Sequence, residues 1–229
     1  YQAARYFPAG TIHLAVVDPG VGTDRRMIAV EIDVRADHES ATCRQRFVLP
    51  DNGLIGTLAR RFGVVAANVL TEREYWRHRV SSTFHGRDIM GPVAAHWACG
   101  VDRDRFGPPA HQLKMGGWPE PELERGQGRG IIIAVDHFGN AITNLPSSWL
   151  PEPGRGTADV IVAGRNVSMQ QTTTYGEHPR GTAVLLAGSH ELVELAVVGG
   201  SAARELGLDV GAEIVISWGK DVLPRGPSA

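Results

Sequence analysis

The sequence predicts an N-terminal α/β domain followed by a small, all-β, barrel-like domain. In residues 1–107, apolar strand segments alternate with helical ones, whereas residues 130–219 hold short strand segments separated by turn residues at even spacing. The segment between them, 108–129, is dense in Pro, Gly and charge and has no sustained period, which predicts a linker. We expect residues 220–229 to form a disordered tail.

Strands and helices alternate along the N-terminal domain. Thr11–Val17 and Met27–Val34 are β-branched and apolar and predict strands that flank a turn. The stretch FVLPDNGLIGTLARRFG predicts a strand, a turn and a short helix capped by Gly63, and VVAANVL predicts another strand. TFHGRDIMGPVAAHWACG predicts a loop and a helix that stops at Gly100, with Pro92 either inside its first turn or kinking it.

Seven short strands are predicted in the C-terminal domain. Their even spacing favours a barrel or a sandwich over a helical domain. The segments are GIIIAV, NAITNL, ADVIVAG, NVSMQQ, TAVLLAG, LVELAVV and AEIVISW.

Composition excludes several classes of protein. Of the 229 residues 42% are hydrophobic and 21% charged, which is too apolar for a disordered chain, and the net charge of −2 argues against a general nucleic-acid or anionic-membrane partner. No apolar run approaches the roughly 20 residues that span a bilayer, and no secretory signal is evident. We expect a cytoplasmic protein whose Cys43 and Cys99 are reduced thiols.

The stretch VVDPGVGTDRR brings a carboxylate and a guanidinium close together. If DPGVGT folds back tightly, Arg25 pairs with Asp18, lowers the pKa of that carboxylate and fixes its orientation. The alternative is a structural ion pair that ties two strands together, and the spacing alone slightly favours it. The GxG of PGVG lacks the Walker lysine and the dinucleotide spacing, so it is weak evidence for a phosphate loop.

The stretch TFHGRD places His85, Arg87 and Asp88 at a predicted helix N-terminus. Backbone N–H groups there can hold an anion or polarise a water, and His85 can orient or exchange a proton. The alternative is a capped helix start with a satisfied histidine, which is the usual role of a lone histidine.

Two polar clusters lie in the C-terminal domain. The segment Asp136–Asn144 suits a hairpin turn, yet Phe138 beside Asn140 also offers a stacking surface and an amide, the minimum for purine recognition. The second cluster, Tyr175, Ser189 and Glu194, can equally be barrel surface. Neither cluster alone identifies a ligand.

Five segments, taken in order, resemble the S-adenosyl-L-methionine hydroxide adenosyltransferases, a family that also contains fluorinase and chlorinase enzymes. The segments are YFPAGTIHLAVVDPGVGTDRR, PDNGL, TFHGRDIMGPVAAH, VDHFGNAITN and GSHELVELAVVGGSAA. The match covers nearly the whole chain. The resemblance implies cleavage of S-adenosyl-L-methionine at ribose C5′, which yields adenosine and methionine when the nucleophile is water. Hydrolytic members use an Asp-Arg-His triad, and the matching residues are Asp18, Arg25 and His85.

The resemblance also implies a substrate site. Phe138 and Tyr175 would flank the adenine and Asn140 would bond its edge, with Asp136 and Ser189 near the methionine end. Glu194 and Val197 match the adenosine side more weakly. The resemblance implies a homotrimer whose sites lie where the N-terminal domain of one subunit meets the barrel of its neighbour. We expect a small-molecule substrate, no cofactor, no metal, and neither nucleic acid nor membrane as partner.

The chain departs from the family pattern in two places. Family members usually have Gly-Tyr-Leu-Glu after the serine, whereas this chain has SHELVEL, which alters the methionine pocket around His190 and Glu191. Members also open with a strand and loop resembling TTDFG, well before the point that matches Tyr1. We therefore expect the chain to be N-terminally incomplete relative to the family and to bind substrate weakly as it stands.

Three alternatives to metal-free hydrolysis by the triad stay open. Halogenating members carry Tyr at the position of Asp18, and fluorinating ones also carry Ser at that of Gly86, so Asp18 favours water over halide. A non-catalytic binder of adenosine or S-adenosyl-L-methionine is the second alternative, and the complete triad argues against it. Metal-dependent hydrolysis is a distant third, because the nine histidines show no HxxxH or HxH spacing.

Overall fold

The structure, a computed structural model, describes residues 3–35, 42–124, 126–151, 156–162 and 164–218. It divides into two compact units, Tyr1–Gly117 and Trp118–Ala229. The division falls within the segment predicted as a linker. The predicted tail, 220–229, lies outside the described residues.

A mixed four-stranded sheet forms the described part of the first unit. Only its first and third strands pair in parallel, while consecutive strands β2 and β3 are antiparallel neighbours. The predicted α/β arrangement is therefore supported in part: strands and helices alternate as expected, but the sheet is not a parallel one. The strands are β1 Ile12–Leu14, β2 Met27–Arg35, β3 Thr42–Pro50 and β4 Ala66–Val69, in spatial order β1-β3-β2-β4.

Apolar side chains cover both faces of this sheet. On one face, Ile28 and Val30 of β2 lie in a cluster with Leu58 of helix α1, Gly56–Phe62. On the other, Ala29 lies in a cluster with Trp97 of helix α2, Gly91–Ala98. Because both faces are buried, β2 begins as an unbroken apolar run and not as an alternation.

Helix α1 ends at a glycine, and helix α2 has a proline in its first turn. The N–H of Gly63, at φ 74°, donates to Ala59 O at 2.9 Å and ends α1, as predicted. A π-helical turn, Gly86–Met90, leads directly into α2, and Pro92 lies in the first turn of α2. Proline has no N–H for the carbonyl four residues earlier, that of Asp88, which accepts instead from Arg77 N at 2.8 Å.

Seven described strands close a barrel in the second unit. They follow the ring order β12-β8-β9-β10-β11-β7-β6, and β12 pairs back with β6; all pairs are antiparallel except β9 with β10. The strands are β6 Gln127–Val135, β7 Ala141–Pro146, β8 Thr157–Val162, β9 Arg165–Gln171, β10 Ala183–Ala187, β11 Leu192–Val197 and β12 Glu213–Trp218. The predicted barrel and its strands are confirmed.

The barrel core follows the period-two alternation of its strands. Ala158, Val160 and Val162 of β8 point inward, as do Ile214 and Ile216 of β12. Two elements were not predicted: strand β5, Glu122–Glu124, which pairs with β6, and helix α3, Ala202–Leu206. Both are too short to show a period.

The remaining helical segments are single 3₁₀ turns. Within the described ranges, no helix has the length and apolar character that a membrane crossing requires. The turns are Ala4–Tyr6, Arg73–Tyr75, Arg103–Phe106, Ser147–Trp149 and Tyr175–Glu177.

Glu191, in the turn between β10 and β11, has the left-handed φ of 58°. A Cβ in this region costs about 1 kcal/mol or more, and glycine avoids that cost while losing part of it in unfolded-chain entropy. We expect Glu191→Gly to raise the free energy of unfolding by roughly 0.5 kcal/mol, measured by urea denaturation.

Glu191→Ala is the matched control, because it removes the carboxylate but keeps the Cβ. We expect it to give no such gain. Equal stabilisation by both variants would show that the carboxylate, and not the backbone conformation, is the source of strain.

Candidate active site

The Arg25 side chain contacts both other members of the predicted triad. Its Nε donates to Asp18 Oδ1 at 2.9 Å and to Oδ2 at 3.0 Å, and its Nη2 also donates to Oδ2. The same Nη2 lies 3.0 Å from His85 Nδ1. Because a guanidinium offers only donors, Nδ1 is the accepting nitrogen and the proton of the neutral ring lies on Nε2.

This ion pair is almost fully removed from solvent. The side chains of Asp18 and Arg25 are each 5% exposed, and His85 is half-buried. Burying two charges is favourable only when their geometry compensates for lost hydration, which the bidentate contact provides. The ion pair connects the turn to the start of β2, as a structural ion pair would. Arg25 also contacts His85, so the same side chain reaches the residue before the π-helical turn.

A tight turn after β1 places Asp18. Val21 N donates to Asp18 O at 3.2 Å, and Thr23 N donates to Gly20 O at the same distance. Gly22 has φ 82°, and a Cβ there would lie 2.8 Å from Ser82 O. The turn therefore packs against the loop that leads to His85, which requires glycine at this position.

Two further contacts support the triad, and no local sequence pattern predicts them. Asn52, in the PDNGL motif, donates from Nδ2 to Val17 O at 2.8 Å and so holds the residue before Asp18. A Cβ on Gly86 would lie 2.8 Å from one methyl of Val16 and 3.2 Å from the other. The π-helical turn therefore starts in close contact with Val16, which follows β1, and any side chain at position 86 would have to displace those methyls.

The predicted cluster of His85, Arg87 and Asp88 is divided in the structure. Asp88 is fully buried and accepts from Arg87 Nε at 2.7 Å and from Ser81 N at 2.8 Å. The bonds from Arg87 and Ser81 hold the pKa of Asp88 well below its usual range. Asp88 thus anchors the loop before His85, while His85 itself contacts Arg25.

Arg25 also borders an open cleft of about 450 Å³. Neither Asp18 nor His85 lines this cleft, so only one member of the triad borders it. Its other lining residues are Asp24, Arg26, Asp51, Gln112, Leu113 and Lys114.

In the second unit, Asp136 and Asn140 form the turn between β6 and β7. Asp136 Oδ1 accepts from the backbone N–H groups of Phe138, at 2.9 Å, and Asn140, at 2.8 Å. Its Oδ2 accepts from Asn140 Nδ2 at 3.0 Å. The hairpin interpretation of this segment is thus correct for the backbone, while the Phe138 ring stays 75% exposed.

Tyr175 and Glu194 meet on the outer face of the barrel. The tyrosine hydroxyl donates to Glu194 Oε1, and Glu194 is buried. Burial, followed by the hydrogen bond to Glu194 and the nearby charges of Glu194 and Asp136, raises the pKa of Tyr175 above its usual range.

Ser189 and Val197 lie apart from one another. Ser189 is exposed in the turn after β10. Val197 belongs to the barrel core, on the face of β11 opposite to Glu194. Alternation along the strand explains this, since residues three apart point to opposite faces. Only the backbone of Val197 is therefore able to meet a ligand that touches Glu194.

Family models match both parts of the chain. Residues 1–107 match the SAM hydroxide adenosyltransferase N-terminal domain, and residues 130–215 match the corresponding C-terminal domain. The chain belongs to the SAM hydroxide adenosyltransferase family. The resemblance inferred from the five sequence motifs is thereby confirmed.

Individual proteins differ in how closely they match this chain. A protein of Thermus thermophilus named (R)-S-adenosyl-L-methionine hydrolase is 37% identical over 222 residues, which cover 93% of this chain and 78% of that protein. A fluorinase of Actinopolyspora mzabensis is 25% identical over 66% of this chain and 56% of its own length. The crystal structure of an uncharacterized conserved protein from Thermotoga maritima has a TM-score of 0.86 at 31% identity, covering 95% of this chain and 81% of that one.

The lowered pKa of Asp88 predicts acid sensitivity of the first unit. A depressed carboxyl pKa adds stability above the unfolded value of 3.8, and this contribution is lost as pH falls through the folded pKa. We expect Asp88→Asn to reduce the urea midpoint at pH 7 and the difference from the unmodified protein to shrink below about pH 4.

Asp104→Asn removes an exposed carboxylate and is the control, for which we expect little change at either pH. A deficit of Asp88→Asn that stayed constant down to pH 2 would contradict the assignment.

Proposed function

We propose that the protein hydrolyses S-adenosyl-L-methionine to adenosine and L-methionine. One observation carries the proposal: a buried carboxylate, Asp18, is oriented by Arg25, which also contacts His85. Relatives that bear the name (R)-S-adenosyl-L-methionine hydrolase, at 37% identity, support the same activity.

The chemistry places its demand on the nucleophile. The C5′–S bond breaks with its electron pair going to sulfur, so the sulfonium leaves as a neutral thioether and needs no proton. Water forms the new C5′–O bond and must lose one proton, which Asp18 accepts and later releases to solvent. Arg25 and His85 hold that carboxylate in place, so that the water it contacts is aligned with C5′. This alignment lowers the entropic part of the activation barrier.

The barrel supplies the substrate contacts. In this proposal Phe138 and Tyr175 flank the adenine, and Asn140 bonds its edge. Asp136 and Ser189 lie towards the methionine end. Glu194 lies on the adenosine side through its side chain, and Val197 through its backbone. Neither metal nor cofactor has a step in this reaction.

We propose a homotrimer in which the triad of one subunit acts with the barrel of its neighbour. Charge supports it: residues 1–117 hold 15 basic and 12 acidic residues, whereas residues 118–229 hold 8 basic and 13 acidic ones. Opposite surplus charge on the two units favours head-to-tail association between copies. The free thiols of Cys43 and Cys99 suit a reducing compartment, so we place the enzyme in the cytoplasm.

A halogenase is the second candidate, and two observations disfavour it. The carboxylate of Asp18 repels an anionic nucleophile at the position where a halide would approach. Fluorinating members carry a serine at the position of Gly86, and a serine there would overlap the methyls of Val16 as they lie in this chain. Formation of 5′-chloro-5′-deoxyadenosine instead of adenosine, in reactions with S-adenosyl-L-methionine and chloride, would favour the halogenase.

Asp18→Asn tests the role of the carboxylate, because it removes the base and keeps the size of the side chain. We expect adenosine release to fall about 10²- to 10⁴-fold while calorimetry shows nearly unchanged substrate binding. Arg25→Ala should slow the same step less, since Asp18 stays but is free to rotate.

Asp24→Asn, at an exposed neighbouring carboxylate, is the control and should retain full activity. Near-normal turnover of Asp18→Asn with unchanged affinity would make the ion pair purely structural. Binding heat without methionine release by the unmodified protein would favour the non-catalytic binder.

Mixing two inactive variants tests the shared site. Asp18→Asn has an intact barrel and Tyr175→Ala an intact triad, so a trimer with shared sites regains activity when the two are co-assembled. Random assembly at equal amounts restores about a quarter of the sites. Activity that stays at the level of the separate variants, or a particle mass other than three times 24.7 kDa, would contradict the proposal.

A further inference from the structure

Asp136 holds the amide of Asn140 in one orientation. Its Oδ1 is occupied by two backbone N–H groups, at 2.8 and 2.9 Å, and its Oδ2 accepts from Asn140 Nδ2 at 3.0 Å. The same turn is closed by the bond from Asp136 N to Asn140 O at 3.0 Å. The carboxylate therefore has a fixed position relative to the amide that it contacts.

An amide can normally exchange its oxygen and nitrogen by rotating about χ2, but here that rotation is blocked. The flipped amide would lose a charge-assisted hydrogen bond and place Asn140 Oδ1 against the carboxylate oxygen of Asp136. Asn140 is 8% exposed, so little water is present to compensate for the loss.

The amide oxygen of Asn140 is the group left for a ligand. Oδ1 accepts no hydrogen bond from the described residues, and it does not belong to the fully buried atoms that lack a partner, so it keeps some contact with solvent. Phe138 lies in the same turn, two residues before Asn140, and its ring is 75% exposed. The site thus presents a hydrogen-bond acceptor of fixed direction beside an aromatic surface.

We propose that Asp136 is a positioning residue that makes the site select 6-amino purines over 6-oxo purines through the fixed Asn140 amide. The inference rests on the proposed function and assigns to Asp136 a role in how the base of that substrate is distinguished from its 6-oxo analogue. An exocyclic amino group donates to Asn140 Oδ1, whereas the oxo group of a hypoxanthine ring would face it oxygen to oxygen. A freely rotating amide would turn its NH₂ to the oxo group and accept both bases.

Discrimination of this kind is strong because the wrong base leaves polar groups unpaired. A site that is built to bond a substrate donor loses that bond and keeps the desolvation cost when an acceptor arrives instead. The contact of Asp136 with Asn140 therefore contributes to the difference in affinity between the two bases.

Asp136→Asn is the test, because it replaces the oxygen that accepts from Asn140 by an NH₂ group that donates. Its side-chain oxygen can still accept from both backbone N–H groups, so the turn is retained, while its NH₂ now favours the flipped Asn140. The probes are adenosine and inosine in calorimetry, and S-adenosyl-L-methionine and S-inosyl-L-methionine in turnover. We expect the unmodified protein to prefer the amino form about 10- to 100-fold and the variant to prefer it less than about threefold.

Two further variants separate orientation from stability. Asp159→Asn, on the exposed face of β8, is the control and should keep the full preference. Asn140→Ala removes the amide itself and should abolish the preference even if Asp136→Asn fails to fold. A purely structural role of Asp136 would weaken both nucleosides equally and leave their ratio unchanged.

The outcomes distinguish this inference from the proposed function. Failure of hydrolysis with a retained preference for adenosine over inosine would reject the hydrolase and leave the inference standing. Equal binding of both nucleosides by the unmodified protein, binding of neither, or an unchanged preference in both Asp136→Asn and Asn140→Ala, would overturn the inference whatever the turnover.

Discussion

The guanidinium of Arg25 joins a carboxylate seven residues before it to a histidine 60 residues after it. Its donors have a rigid, planar geometry, so contact with Asp18 determines where the remaining N–H groups point, and one of them reaches His85. A lysine has a single charged nitrogen on a flexible stem and would not fix both partners. The arrangement of the triad therefore depends on this planar group and on its burial.

Contacts from several neighbouring segments hold the backbone around Arg25, Asp18 and His85 in place. Gly22 brings the turn against the loop at Ser82, and Asn52 holds the carbonyl of Val17. Pro92 leaves the carbonyl of Asp88 without a helical donor, and Arg77 supplies one. The backbone irregularity at the proline thus connects the helix to the loop that carries His85.

Sequence patterns predicted the barrel strands because alternation records which side of a strand is buried, as in β8 and β12. They also predicted that Asp18 and Arg25 meet, since Pro and Gly specify a tight turn. The bond from Asn52 to Val17, 35 residues away, leaves no local pattern. The inward position of Val197 follows from alternation along β11, but a match to a family motif does not encode side-chain direction.

The approach of Gly86 to Val16 has an evolutionary consequence. Both methyls of Val16 lie within 3.2 Å of the place where a side chain at position 86 would begin. A side chain at position 86 therefore requires these methyls to move or to be removed, whereas shortening Val16 first removes little from a side chain that is 45% exposed. The effect of a substitution at position 86 thus depends on the residue at position 16, which makes the two positions an epistatic pair.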